Sequence, residues 1–131
     1  MKWASHDKKK KYSLKRLGKS FKYAFTGIFK AYKTEQNLVV HTIAAILVLI
    51  LSFYLKVSSI EFCILVLVIG LVLVMEMVNT AIEYTVDMAM PNIHPLAKIA
   101  KDVASGAVLI SAFVSIVVGL IILLPKILTL L

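Results

Sequence analysis

Residues 60–90 read IEFCILVLVIGLVLVMEMVNTAIEYTVDMAM. The run is long and apolar enough to cross a bilayer, yet its second half carries Glu76, Asn79, Glu83 and Asp87. An ionised acid at membrane depth costs about 2.5–3.5 kcal/mol even on the mildest insertion scale. Facing lipid, Glu76, Glu83 and Asp87 together would cost about 8–10 kcal/mol, as much as a whole domain's stability. They must therefore face protein, water, a cation or the interface, and acids so placed are candidates for function.

Outward from this run, the chain has 131 residues, 60% of them hydrophobic. Apolar stretches at 38–55, 60–88 and 98–124 each approach or exceed the roughly 20 residues that a span requires. The pattern predicts an all-α integral membrane protein with three transmembrane helices in a single unit, and no soluble domain. A polar segment of some 36 residues precedes the first span, too long for the charged region of a signal peptide and without a small-residue cleavage site. Cys63 is the only cysteine, so neither a disulfide framework nor a cysteine metal cluster is possible, and it reads as an apolar filler of the second span.

Of the 15 Lys and Arg residues, 11 lie within residues 1–37. The positive-inside rule then puts the N-terminus in the cytoplasm, the 56–59 turn outside, the 89–97 loop inside and the C-terminus outside. A basic arm tied to a membrane domain has an anionic leaflet as its partner rather than nucleic acid. Residues 1–12 form a Lys-rich tail, expected to be disordered. Over 13–33, Leu14, Leu17, Phe21, Ala24, Phe25, Ile28 and Tyr32 recur at three- and four-residue steps, with Lys15, Arg16, Lys19, Lys22 and Lys30 mostly off the stripe. That pattern predicts an amphipathic helix lying on the membrane surface. A short turn near Lys33–Asn37 leads to the first span, with Glu35 at its mouth. Pro91 and Pro95 end one helix and begin the next. Gly70, Gly106, Ala107 and Gly119 are expected to let helices approach closely.

At 100° per residue, Glu76, Asn79, Thr80, Glu83 and Asp87 fall within a sector of about 100°. Lys98, Lys101, Asp102 and Ser105 follow the i, i+3, i+4, i+7 spacing on the third span, and the two stripes meet at the turn that holds His94. Glu35 and His41 add polar groups from the first span. Carboxylates without cysteine and with few histidines favour a hard cation such as Mg²⁺, which beside lysine and amide groups can hold the phosphates of a nucleotide. Phosphoryl transfer needs positioning, charge neutralisation and a base for the acceptor hydroxyl. Glu76 lies deepest, about 10 Å along the axis from Glu83, where a carboxylate can take the proton of an alcohol presented from the bilayer. Neither GxxxxGK[ST] nor GxGxxG is present. The residues alone therefore leave three readings open: a kinase, a small ion-coupled transporter, and a structural subunit whose polar groups only bind one another.

The spacing of Glu76, Asn79, Thr80, Ala81, Ile82, Glu83 and Asp87 resembles E-x-x-N-[ST]-A-I-E-x-x-x-D, the signature of the prokaryotic diacylglycerol kinase family. Ala100, Lys101, Asp102, Ser105, Ala107 and Val108 are similar to its A-K-D-x-x-[SA]-x-A-V segment. Arg16, Ser20, Phe21, Ala24, Gly27 and Ile28 resemble the surface helix of the Gram-positive branch, whose members phosphorylate undecaprenol rather than mainly diacylglycerol. The resemblance implies a homotrimer of three-span subunits with shared active sites, in the bacterial plasma membrane, using ATP and Mg²⁺. It implies Glu76 as catalytic base and Glu35 with Glu83 as metal ligands that also contact ATP. Arg16, Tyr23, His94, Lys101 and Asp102 match nucleotide contacts. Asn79 and Ser105 match positions near the acceptor, beside Glu76, with Asp87 in support. Ala24 stands where enterobacterial members carry Ser, and Asn37, Val39 and His41 replace that branch's residues around the first span. The Gram-positive-like surface helix and the Ala24 departure favour undecaprenol as acceptor, with diacylglycerol as the alternative.

Overall fold

A computed structural model describes residues 12–131. All but Tyr12 of the Lys-rich tail therefore lies outside the described residues. These hold four α-helices and no strand: α1 (Leu14–Thr34), α2 (Gln36–Tyr54), α3 (Ser59–Ala89) and α4 (Pro95–Leu128). The last three are long and apolar enough to cross a membrane.

Local chemistry sets each boundary. Ser13 caps α1, its side chain accepting from the Arg16 N–H at 3.1 Å. A single extended residue, Glu35 (φ −109, ψ 104), separates α1 from α2, so the expected turn over Lys33–Asn37 is one residue wide. Tyr32 Oη lies 2.6 Å from Thr42 Oγ1 across this corner. The Thr42 hydroxyl hydrogen already goes to the Leu38 carbonyl at 2.8 Å, so Tyr32 is the donor.

At the other end of α2, the Val57 N–H donates to the Ser52 carbonyl at 3.2 Å, with Lys56 at φ 53. This helix stop normally uses glycine, because a Cβ in the left-handed region crowds the following carbonyl. Lys56→Gly should raise stability by roughly 0.5–1 kcal/mol, the relief of strain being partly offset by glycine's freedom when unfolded. Thermal unfolding in detergent checks this, and a melting point no higher than wild type would refute it.

Ser58 then starts α3 with a capping box: its side chain accepts from the Glu61 N–H at 3.2 Å, and Glu61 Oε2 accepts from the Ser58 N–H at 2.8 Å. His94 caps α4, its Nδ1 accepting from the Leu96 N–H at 3.1 Å, with Pro95 in the first turn. These caps carry α3 and α4 beyond the apolar windows at 60–88 and 98–124. α4 also runs past Pro125 to Leu128.

α3 packs along α4 and more lightly against α2, whereas α1 touches only the ends of its neighbours. Lys126 Nζ lies 3.3 Å from Glu61 Oε2, tying the end of α4 to the start of α3. Lys101 Nζ pairs with Asp87 Oδ1 at the other end. Consecutive spans thus run antiparallel, with the start of α2 and the α3–α4 loop at the same end of the helices as the end of α1. Leu65, Ile122 and Leu123 form a core at the opposite end, backed by Val48, Leu51 and Val118.

Two expectations fail within the chain. A Cβ added at Gly70, Gly106 or Gly119 would meet nothing within 4 Å, so these glycines do not mediate close packing here. The α3–α4 contact instead buries Ala104, Val108 and Ser111, spaced to return to one helix face. Cys63 is exposed rather than filling the interior. The α1 stripe also stays uncovered, with Leu14, Leu17, Phe21 and Phe25 exposed and Ala31 alone buried on that helix, which leaves it free to lie against lipid.

Candidate active site

α3 places its acids by helical rise alone. From Ser59, Glu76 stands about 26 Å along the axis, Glu83 about 36 Å and Asp87 about 42 Å. A hydrocarbon layer is about 30 Å thick. A layer that began at Ser59 would end between Glu76 and Glu83.

Within the packed chain the stripe is graded. Glu76 is 2% exposed and Asn79 9%, whereas Glu83 is half-buried and Asp87 exposed. Most buried hydroxyls on these helices satisfy themselves. Ser52 donates to the Leu49 carbonyl, Thr80 to the Glu76 carbonyl and Ser111 to the Val108 carbonyl, at 2.7, 3.0 and 2.8 Å. This is the usual way for a small polar side chain to survive on a membrane helix. Glu76 and Asn79 differ. Asn79 Nδ2 donates to Glu83 Oε1 at 3.1 Å, but Asn79 Oδ1 and Glu76 Oε1 are buried without a hydrogen bond. A buried acceptor left so costs about 1–3 kcal/mol, and a catalytic role, a water or an ion is among the reasons a chain keeps one.

α2 brings His41 to this point, its Nε2 3.1 Å from Glu76 Oε1. The two atoms are at ion-pairing distance but are not aligned as a hydrogen bond. Glu35, at the α1–α2 corner, and Glu83 are close enough for their charges to act on Glu76. The Glu35 carboxylate makes no capping bond to α2, so this oxygen pair is not consumed by the helix that carries it. Among the described residues no three His, Cys, Asp or Glu side chains converge as a ready-made metal cluster.

The two predicted stripes meet only in part. Lys101 reaches across to Asp87, but Lys98 turns to Asp102 on its own helix, 2.5 Å away. Asp102 and Ser105 are exposed. Arg16 and Tyr23 also lie exposed on α1, about 28 and 18 Å along the helix from Glu35. One chain thus gathers Glu35, His41, Glu76, Asn79 and Glu83, with Asp87 and Lys101 beside them. It leaves Arg16, Tyr23, Asp102 and Ser105 outside this cluster. His94 is engaged in capping α4.

On the apolar side, α2 and α4 diverge over α3 and leave a cleft of about 440 Å³ headed by His41. Apart from His41 and Ser115, every residue lining it is apolar, from Ala44 and Val72 near the acids to Leu124 and Ile127 at the far end. His41, which lines this groove, thus adjoins a buried carboxylate that has one oxygen outside any hydrogen bond. That arrangement can receive a long apolar molecule with a polar head.

Comparison with known proteins identifies relatives of the chain. Residues 22–123 match the family described as Prokaryotic diacylglycerol kinase. The chain is 48% identical to the undecaprenol kinase of Bacillus subtilis (strain 168) over 113 residues, 86% of this chain and 92% of that protein. It is 40% identical to the diacylglycerol kinase of Synechocystis sp. over 112 residues, 85% of this chain and 64% of that protein. Against the diacylglycerol kinase of Escherichia coli (strain K12), identity is 32% over 102 residues, 78% of this chain and 84% of that protein. With three apolar spans and this extent of matching sequence, the chain belongs to the prokaryotic diacylglycerol kinase family of membrane lipid kinases.

Proposed function

We propose that this chain is an ATP- and Mg²⁺-dependent kinase that transfers the γ-phosphate to the hydroxyl of undecaprenol, giving undecaprenyl phosphate. It does so in the plasma membrane of a bacterium, with its N-terminus and active site cytoplasmic and its C-terminus outside. The observation that carries this reading is Glu76: buried, without a hydrogen bond at Oε1, 3.1 Å from the His41 that lines the apolar cleft, and within electrostatic reach of Glu35 and Glu83.

In this reading the lipid's hydroxyl reaches Glu76 from the cleft, and Asn79 Oδ1 is the second acceptor beside it. Glu76 takes the hydroxyl proton. The oxygen forms a bond to the γ-phosphorus as the bond to the bridging oxygen breaks, and ADP leaves with that electron pair. Glu35 and Glu83 fit a hard cation, since Mg²⁺ is commonly held by one or two carboxylates with phosphate oxygens and water completing its shell. When bound, it neutralises charge on the transferring phosphate. Asp87 holds Lys101 toward the α3–α4 face, where the ammonium can meet phosphate.

Arg16 and Tyr23 are too far along α1 to join this cluster in one chain. Active sites shared between copies of a homotrimer would let a neighbouring α1 bring them to the nucleotide, with Asp102 and Ser105 presented from α4. The basic α1 would rest on anionic headgroups; nucleic acid has no part in this reading.

The choice of undecaprenol rests on the name of the Bacillus subtilis relative and on the cleft. A polyprenol has one oxygen. Diacylglycerol brings ester groups into a cleft whose lining is apolar except for His41 and Ser115, and each polar group left unpaired there costs about 1–3 kcal/mol. Ala24 likewise offers no hydroxyl to a glycerol backbone. The expected preference for undecaprenol is therefore roughly ten- to a hundredfold, with residual activity on diacylglycerol. Side-by-side assays with labelled ATP in matched micelles measure it. Equal or faster transfer to diacylglycerol, the acceptor named for the Synechocystis and Escherichia coli relatives, would reverse the assignment. In sealed vesicles, added ATP should serve only when the cytoplasmic face is outward.

A further inference from the structure

We propose that His41, which lines the cleft, is a positioning residue for Glu76: its imidazole N–H holds the buried carboxylate beside the cleft, turned toward the incoming alcohol. The inference rests on the kinase reading above and assigns a role to a residue for which the stripe of acids gives none.

The argument begins with what Glu76 lacks. A glutamate has three side-chain torsions, and a catalytic carboxylate must be held close to its productive geometry by its surroundings. On α3 its near neighbours do not provide that hold. The Thr80 hydroxyl donates to the Glu76 backbone carbonyl rather than to its side chain, and Asn79 donates to Glu83 instead. Glu35 and Glu83 carry like charge and offer the carboxylate no hydrogen-bond donor. His41 Nε2, 3.1 Å from Oε1, is the group among the described residues placed to attract it. A small turn of the ring brings an Nε2–H into line with the carboxylate oxygen.

The position of His41 is itself fixed. Its neighbour Thr42 bonds back to Leu38 and accepts from Tyr32, so the first turns of α2 are braced against α1. Leu38, one turn before, is 1% exposed and anchors the same stretch. The imidazole is partly exposed and lines the cleft, so it stands on the path an alcohol takes to Glu76. A histidine that only filled space between α2 and α3 would be replaceable by an apolar side chain of similar size. One that orients the base would not.

The test uses the full-length protein in lipid-containing micelles, with His41→Leu and His41→Gln. Leu keeps bulk but donates nothing, whereas the Gln amide places an N–H near the position of Nε2. For His41→Leu we expect kcat to fall roughly 10- to 100-fold, the scale of a misplaced catalytic group, with KM for ATP unchanged. His41→Gln should recover most of that loss. If the Leu variant does not accumulate in membranes, His41→Asn, polar but one methylene short of Glu76, takes its place and should show the same fall in kcat. A kcat near wild type in the Leu or Asn variant overturns the proposal, as does a Gln variant no better than Leu or Asn. The kinase reading fails by a separate result, the absence of ATP-dependent phosphate transfer to lipid by the wild-type chain.

Discussion

Glu76→Gln should lower turnover by at least about 10²-fold, the scale of a lost general base, with nucleotide binding kept. The amide preserves the size of the side chain and removes its capacity to hold a proton. The structure also makes the result interpretable. Glu76 Oε1 lies 3.1 Å from His41 Nε2 without an aligned hydrogen bond, so an amide of the same size breaks no hydrogen bond there and keeps an oxygen that His41 can meet, and such a change is not expected to unfold the protein. A melting temperature at or above wild type, measured beside the rate, then separates lost chemistry from lost structure. Turnover close to wild type would make Glu76 a packing residue, and the site would have to be sought elsewhere on the stripe.

The second large effect concerns the carboxylates proposed for the cation. Glu35→Gln or Glu83→Gln should weaken Mg²⁺-dependent nucleotide binding by roughly 10- to 100-fold. An anionic oxygen contact of this kind contributes about 1.5–3 kcal/mol. Titration of nucleotide at fixed Mg²⁺, and of Mg²⁺ at fixed nucleotide, measures it. The two variants are not equivalent. Glu83 accepts from Asn79 Nδ2, so its replacement also disturbs the amide beside the acceptor. Glu35 makes no side-chain bond to the helix it precedes, so its replacement is the cleaner experiment. Unchanged affinity in both variants would remove them as ligands.

The three spans and the amphipathic first helix were legible because hydropathy and period 3.6 are local properties, and so was the grouping of Glu76, Asn79, Glu83 and Asp87 on one face. What a period cannot supply is the register between helices. The contact of His41 with Glu76 depends on how α2 slides along α3, and nothing in either segment alone sets that. The same holds for Lys98, which reads as part of a stripe facing α3 but pairs with Asp102 instead. The separation of Arg16 and Tyr23 from the acids follows from α1 being one unbroken helix, which a motif match does not reveal. Glu61 was missed despite a local signal. Ser58 and Glu61 have the S-x-x-E spacing of a capping box, masked by the apolar residues that follow. The glycines were over-read, since small residues mark possible close approach without stating which helix approaches.

Glu35 is at once the last cap of the amphipathic helix α1 and the residue before the first span. A corner one residue wide has two torsions, and both belong to Glu35. Any change in the angle between α1 and α2 must therefore turn the backbone that carries this carboxylate, while the Tyr32–Thr42 bond resists the turn. The hinge and the proposed ligand are one residue, so a force that tilts the surface helix reorients an oxygen of the site without passing through any other part of the chain.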